Sequence, residues 1–268
     1  MVKVWPGGMV GSFVLKNDIV TETIETGPKF PFPKKRVSKA IAREELALLE
    51  AAYPNAVTEL VYDSPFTLLI AVVLSAQCTD ARVNLTTPHL FAKYPTPAAL
   101  GSARSEDVEA IVKSCGFFRM KAKNIIAASE AIATTHGGEV PRNRDELEAL
   151  PGVGRKTASV VMAVVFESAA FAVDTHVFRV SRRLGLTLGT TPLAVERDVV
   201  ALVEEAKLRH AHHWLILHGR AICKAATPLC GRCPVATLCP TAPIVAKTLA
   251  TKAKAKRKAA KVARPASR

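Results

Sequence analysis

Aromatic residues are scarce in this chain, 6% of 268 positions with two tryptophans and three tyrosines, and no β-rich run or internal repeat is present. Alanine, leucine and valine carry most of the 49% hydrophobic fraction, which is enough for a real core and favours helices over sandwiches. The longest apolar runs, around 68–76 and 159–166, are too short to span a bilayer. Residues 1–16 hold prolines and glycines where a secretory apolar region would lie. Six cysteines are too few for a disulfide scaffold. Four of them fall within seventeen residues, which reads as metal or cluster ligation in a reducing compartment. Together these absences lead to the expectation of a soluble, cytoplasmic, all-α protein.

Acidic residues are missing from one end. Residues 241–268 carry nine Lys/Arg and no Asp or Glu, and residues 1–36 hold six basic against three acidic side chains. Of the formal charge of +14, only +2 is left for residues 37–240. Bulk charge therefore argues for basic arms rather than a basic core. Lacking hydrophobic periodicity, residues 1–36 are expected to be a flexible basic extension and residues 241–268 a disordered basic tail.

What is present centres on residues 150–158. Asn143, with Glu146 three positions on, has the form of a capping box, so a short helix runs to about Ala149 and Pro151, Gly152 and Gly154 stop it. From Arg155 the chain is apolar enough for a buried helix. Glycines at such a start leave backbone N–H groups open, and an anion fits there because the helix dipole is positive. Lys156 is electrostatically odd in that place. Its ammonium opposes the dipole and partial burial opposes it further, so both favour the neutral, nucleophilic amine. Asp174, eighteen residues on, is placed to cap the next helix. A solvated lysine after a Pro-Gly turn explains the hairpin alone equally well.

In chain order, a first helix begins at Ser38, with Ile41, Leu48 and Ala52 on one face and Leu46, Leu49 and Tyr53 beside them, and ends at Pro54. Residues 65–74 are apolar all round and belong in the middle of a bundle. A polar cluster follows, in which Asp80 is set to cap a helix holding Val83, Leu85 and Leu90. Further helices are expected from Ser105 to about Ser114 and from Lys121 to about Thr135, with at least one of Phe117 and Phe118 in the core between them. Two more follow, one stopped near Gly185 and one started by Pro192. The run from His212 to Gly219 is mostly apolar and buried, its histidines core or surface groups rather than metal ligands.

Cys223, Cys230, Cys233 and Cys239 form a C-x6-C-x2-C-x5-C array. Zinc ribbons use two C-x2-C knuckles and only one is present, so the spacing favours a cubane [4Fe–4S] cluster while leaving zinc open. Cys78 and Cys115 look like ordinary buried thiols.

The hairpin with Lys156, the Val-Asp-Thr-His sequence around Asp174, the His-His-Trp-Leu-Ile-Leu-His-Gly-Arg run from His212 and the four-cysteine array together resemble the endonuclease III family of DNA glycosylases over about residues 37–240. That resemblance implies a two-lobed helix-hairpin-helix fold. A six-helix barrel would span residues 58–168, and residues 37–57 with 169–240 would form a lobe holding a [4Fe–4S] cluster on Cys223, Cys230, Cys233 and Cys239. It implies a monomeric base excision repair enzyme on damaged double-stranded DNA, in the nucleoid. Lys156 would attack a flipped oxidised pyrimidine nucleotide with help from Asp174, forming a Schiff base and cutting by β-elimination. Gly152, Val153, Gly154 and Arg155 would bind phosphate, Gln77 would fill the gap left by the flipped nucleotide, and Lys224 and Arg232 would lie near phosphates. Phe117 stands where the family commonly has an aliphatic wedge, and Phe118, Arg119 and Met120 also depart from its usual Tyr-Asn-Ser. Two other readings stay open: an adenine glycosylase of the same superfamily, which would lack the lysine, and a non-catalytic iron–sulfur DNA-binding protein.

Overall fold

The computed structural model describes residues 30–262, with side chains described as far as residue 255. Among the described residues there are twelve α-helices and no strand. The first, α1 (Lys39–Ala52), starts at the Ser38 hydroxyl, which accepts the Ile41 amide at 3.3 Å. Its buried stripe is Ala42, Glu45, Leu46 and Leu49. Leu46 and Leu49, expected beside the main face, instead centre it, while Ala52 is exposed.

The next helix, α2 (Pro65–Ser75), has a reciprocal cap between Ser64 and Thr67 and buries every side chain from Phe66 to Leu74. A helix apolar on all sides needs partners on all sides, and they come from α3 (Asp80–Lys93), α4 (Pro97–Gly101), α5 (Ser105–Val112), α6 (Phe118–Thr135), α7 (Arg144–Ala149) and α8 (Arg155–Val164). Leu68, Leu69, Ile70 and Leu74 are fully buried there, each contributing roughly 1.5–3 kcal/mol of burial. Leu85, by contrast, points to solvent. A second, separate core joins α1 to α9 (Thr175–Arg183), α10 (Pro192–Val200) and α11 (Leu208–Ala221) through Leu49, Phe171, Val177, Leu184, Trp214 and Leu215.

Three expectations need correction. The cap of α3 is Thr79, whose hydroxyl accepts the Arg82 amide at 3.3 Å. Asp80 sits in the first turn and binds Arg220 of α11 at 3.0 Å, a contact between the cores that a local reading cannot see. Residues 30–36 are not a loose arm. Phe30 is 4% exposed, with the Arg183 guanidinium 5.4 Å from its ring, Arg182 lies 3.9 Å from the Phe32 ring, and Arg36 pairs with Asp198. The tail expected to be disordered is helical as α12 (Ala242–Val262), seated by buried Ala242 and Val245. Its alanine and lysine content carries high helix propensity. The remainder of both basic arms, 1–29 and 263–268, lies outside the described residues. No described helix is long and apolar enough to cross a membrane.

Candidate active site and cluster loop

The hairpin is built by local rules. Asn143 caps α7 through a 2.9 Å bond from the Glu146 amide. Gly152 then takes φ +77°, and a side chain there would place its Cβ 2.7 Å from Cβ of Asn124 on α6, so only glycine fits. Val153 is buried in the first core. Gly154 begins α8 with no side-chain cap, and nothing lies within 4 Å of where its Cβ would be. The first amides of α8 thus meet open space, the arrangement an anion needs. Arg155 contributes its amide but not a free guanidinium, which grips Glu196 of α10 with two bonds of 2.9 and 3.0 Å.

Lys156 follows in the first turn of α8. It is exposed, so the partial burial expected for it is not found. Asp174 caps α9, Oδ1 accepting the Val177 amide at 2.7 Å. Both residues lie within electrostatic reach of the histidine pair of α11. His212 feels the charge of Lys156, and His213 feels the charge of Asp174. The two rings lie against each other, tilted by 38°, with centroids 3.9 Å apart. Burial pushes His213 down to about 4, aided by His210 and Arg220, and holds His212 well below the usual imidazole range. Both are therefore neutral near pH 7, an uncharged polar floor behind the lysine and the aspartate.

Two loops of the first core carry Gln77 and Phe117. Both adopt left-handed backbone, φ +51° and +57°, at a cost of order 1 kcal/mol each for a non-glycine residue. The loops touch, because Gly116 lets the chain approach until its Cβ position is 3.2 Å from the Gln77 carbonyl. The two phenylalanines divide as expected. Phe118 packs on the core, with Arg119 5.0 Å from its ring, while Phe117 is 69% and Met120 60% exposed. Lys121 ties the start of α6 to the end of α2 by a 2.8 Å bond to the Leu74 carbonyl.

In the second lobe, Cys223, Cys230, Cys233 and Cys239 line one pocket with Leu184, Ile222, Leu229 and Val245. All four thiols are free. Burial pushes Cys233 up to about 11 and Cys239 up to about 12. Among the described residues no three His, Cys, Asp or Glu side chains gather closely enough for one metal ion. Arg179 and Arg183 of α9, which sequence reasoning passed over, brace the loop. Arg183 donates to the carbonyls of Lys224 and Ala225 at 2.7 and 2.8 Å and to Cys223 Sγ at 3.6 Å, and Arg179 donates to the Cys223 carbonyl at 3.2 Å. The signal was available: α9 is an arginine-rich helix whose Arg179 and Arg183, four apart, share a buried face. Lys224 and Arg232 are exposed on this loop.

Two helical cores, with a glycine hairpin leading into a lysine and an aspartate at the start of the next helix, form a helix-hairpin-helix architecture. Residues 70–205 match the HhH-GPD superfamily of base excision DNA repair proteins. The chain is 50% identical over 186 residues to endonuclease III of Rickettsia prowazekii, covering 69% of this chain and 88% of that one. It is 48% identical over 210 residues to endonuclease III of Synechocystis sp., covering 78% and 96%. The structure of a trapped endonuclease III–DNA covalent intermediate is similar at TM-score 0.74 and 45% identity, over 77% of this chain and 98% of that one. The chain belongs to the endonuclease III family, and it is a DNA glycosylase and lyase of base excision repair.

Proposed function

We propose that this protein excises oxidised pyrimidines from duplex DNA and then cuts the strand, with Lys156 as nucleophile and Asp174 as its partner. The observation that carries the reading is the placing of Lys156 in the first turn of α8, directly after a glycine hairpin with no side-chain cap, with Asp174 heading the next helix and the neutral histidine pair of α11 within electrostatic reach of both. A damaged nucleotide leaves the stack. The Lys156 amine attacks C1′, the bond from C1′ to the base breaks, and the base departs with the electron pair and takes up a proton. The attacking nitrogen sheds a proton, and the C1′–O4′ bond then opens with O4′ taking up a proton, which gives a ring-opened iminium. That iminium loses a proton from C2′, and the C3′–O bond breaks by β-elimination, the 3′ phosphate leaving with the electron pair. Asp174 accepts a proton from the lysine ammonium beforehand and opposes the positive charge on the sugar. A carboxylate has two oxygens, so one can cap α9 while the other acts.

The amides of Gly152, Val153, Gly154 and Arg155 hold a backbone phosphate. Gln77 fills the space of the flipped nucleotide and Phe117 wedges beside it, a reading supported by the contact between their two loops. Cys223, Cys230, Cys233 and Cys239 suit a [4Fe–4S] cluster. Four thiols round one largely apolar pocket, not drawn to a single point, match a polynuclear core better than zinc. Such a cluster would tie the loop together and present Lys224 and Arg232 to phosphates. The enzyme would act as a monomer on nucleoid DNA in the cytoplasm.

Borohydride trapping tests the chemistry. With duplex DNA containing an abasic site, the wild-type protein is expected to yield a covalent adduct and Lys156→Ala none. An adduct of undiminished yield with Lys156→Ala would overturn the assignment.

A further inference from the structure

Two cysteines outside the cluster loop stand where the DNA-facing loops meet. Cys78 directly follows Gln77, and Cys115 directly precedes Gly116, whose Cβ position is 3.2 Å from the Gln77 carbonyl. The two side chains thus flank the contact between the loops and interact electrostatically with each other. Cys115 is 1% exposed and reaches Thr86 Oγ1 at 3.9 Å, while Cys78 is only half-buried. The buried Lys121 ammonium, fixed to the Leu74 carbonyl at 2.8 Å, interacts electrostatically with both sulfurs. The glycosylase and lyase steps use neither cysteine.

We propose that Cys78 and Cys115 are an oxidisable dithiol, and that their disulfide staples the Gln77 loop to the Phe117 loop. The oxidant is a hydroperoxide. The Cys78 thiolate attacks one peroxide oxygen, the O–O bond breaks, and the departing hydroxide takes a proton to become water, leaving a sulfenic acid on Cys78. The Cys115 sulfur then attacks the Cys78 sulfur, the S–O bond breaks, and the expelled hydroxide leaves as water with the Cys115 proton. Two thiols lose two electrons and hydrogen peroxide gains them, giving one disulfide and two waters. Cys78 is the attacking group because solvent reaches it. Cys115 is the resolving group, because burial keeps its proton on until the second step.

An S–S bond of about 2.05 Å draws the sulfurs well inside van der Waals contact. The chain on either side, left-handed at Gln77 and Phe117, must shift with it and loses the freedom to part around DNA. This consequence rests on the reading of Gln77 and Phe117 as DNA-facing residues; the disulfide itself does not.

The test uses the full-length, cluster-loaded protein treated with hydrogen peroxide, with the cluster's visible absorbance followed throughout. Non-reducing peptide mapping by mass spectrometry is expected to show the Cys78 and Cys115 peptides joined, separable by dithiothreitol and absent from both Cys78→Ala and Cys115→Ser. Affinity for an abasic-analogue duplex is expected to fall about tenfold on oxidation, the scale of one base–aromatic stacking interaction, and to return with dithiothreitol. Both cysteines remaining fully alkylatable after peroxide would overturn the dithiol. An affinity loss that persists in Cys78→Ala and Cys115→Ser alike would overturn the stapling. A cross-link that forms without changing affinity supports the dithiol and overturns the stapling of DNA-facing loops.

Discussion

Asp174 closes the first turn of α9 with its own side chain, Oδ1 accepting the Val177 amide at 2.7 Å. The residue assigned to chemistry thus also holds up its helix, and the two roles separate by substitution. Asparagine caps as well as aspartate but carries no charge. Asp174→Asn is expected to unfold within a degree or two of the wild type while single-turnover excision drops by about a hundredfold or more, the scale of a missing acid–base group. Asp174→Ala adds a stability loss of about 1 kcal/mol. If Asp174→Asn keeps wild-type activity and Asp174→Ala loses only stability, the aspartate is only a cap.

Phe117 combines a left-handed backbone with an exposed ring, which is unfavourable on both counts unless DNA uses the ring. Phe117→Gly removes the backbone strain and the wedge together. It is expected to unfold no earlier than the wild type, yet to bind duplex DNA about 5- to 100-fold more weakly, the worth of one stacked aromatic. A thermal scan and a binding titration check this. Unchanged affinity would leave the strain without a use.

The parts of this site that follow from neighbours in the chain were legible in the sequence. The start of α7 at Asn143, the glycine stop, the α8 start at Arg155 and the Asp174 cap all rest on backbone groups within four residues of one another. What was not legible depends on distant partners. Arg155 reads as a phosphate ligand until Glu196, forty-one residues on, occupies its guanidinium. Thr79 and Asp80 are equally good caps on paper, and Arg220, 140 residues away, decides between them. Residues 30–36 show no periodicity because they dock by two rings and one ion pair rather than by a helical face.

His213 supplies a pH dependence with a definite sign. Its pKa is near 6.5 in the unfolded chain and about 4 in the folded one, burial being the main cause. Above pH 6.5 it is neutral in both states and the folded protein keeps its full stability. As pH falls from 6.5 toward 4 the unfolded chain takes up a proton that the folded one refuses, and up to about 3 kcal/mol is lost. Asp174 and Asp80 pull the other way and limit the effect. Melting temperatures between pH 7 and 4.5 are expected to fall less steeply in His213→Gln than in the wild type. Parallel slopes would mean that the ring is protonated in the fold.

The basic C-terminal helix is expected to contribute to affinity rather than to chemistry. Ala242 and Val245 seat the start of α12, whereas residues 250–255 are exposed and the charged part of the sequence lies from Lys252 onward without a single acid. A helix rises 1.5 Å per residue, so the exposed residues 250–255, with Lys252 and Lys254, extend the positive surface by about 9 Å. Truncation after Leu249 keeps the buried anchor and removes that surface. The melting temperature is expected to hold, and the excision rate at saturating enzyme is expected not to change. The slope of log affinity against log salt should become shallower by about 0.9 for every phosphate that the shortened protein no longer neutralises. An unaltered slope would reduce the helix to a solubility device, and a slower rate at saturation would place it in the chemistry after all.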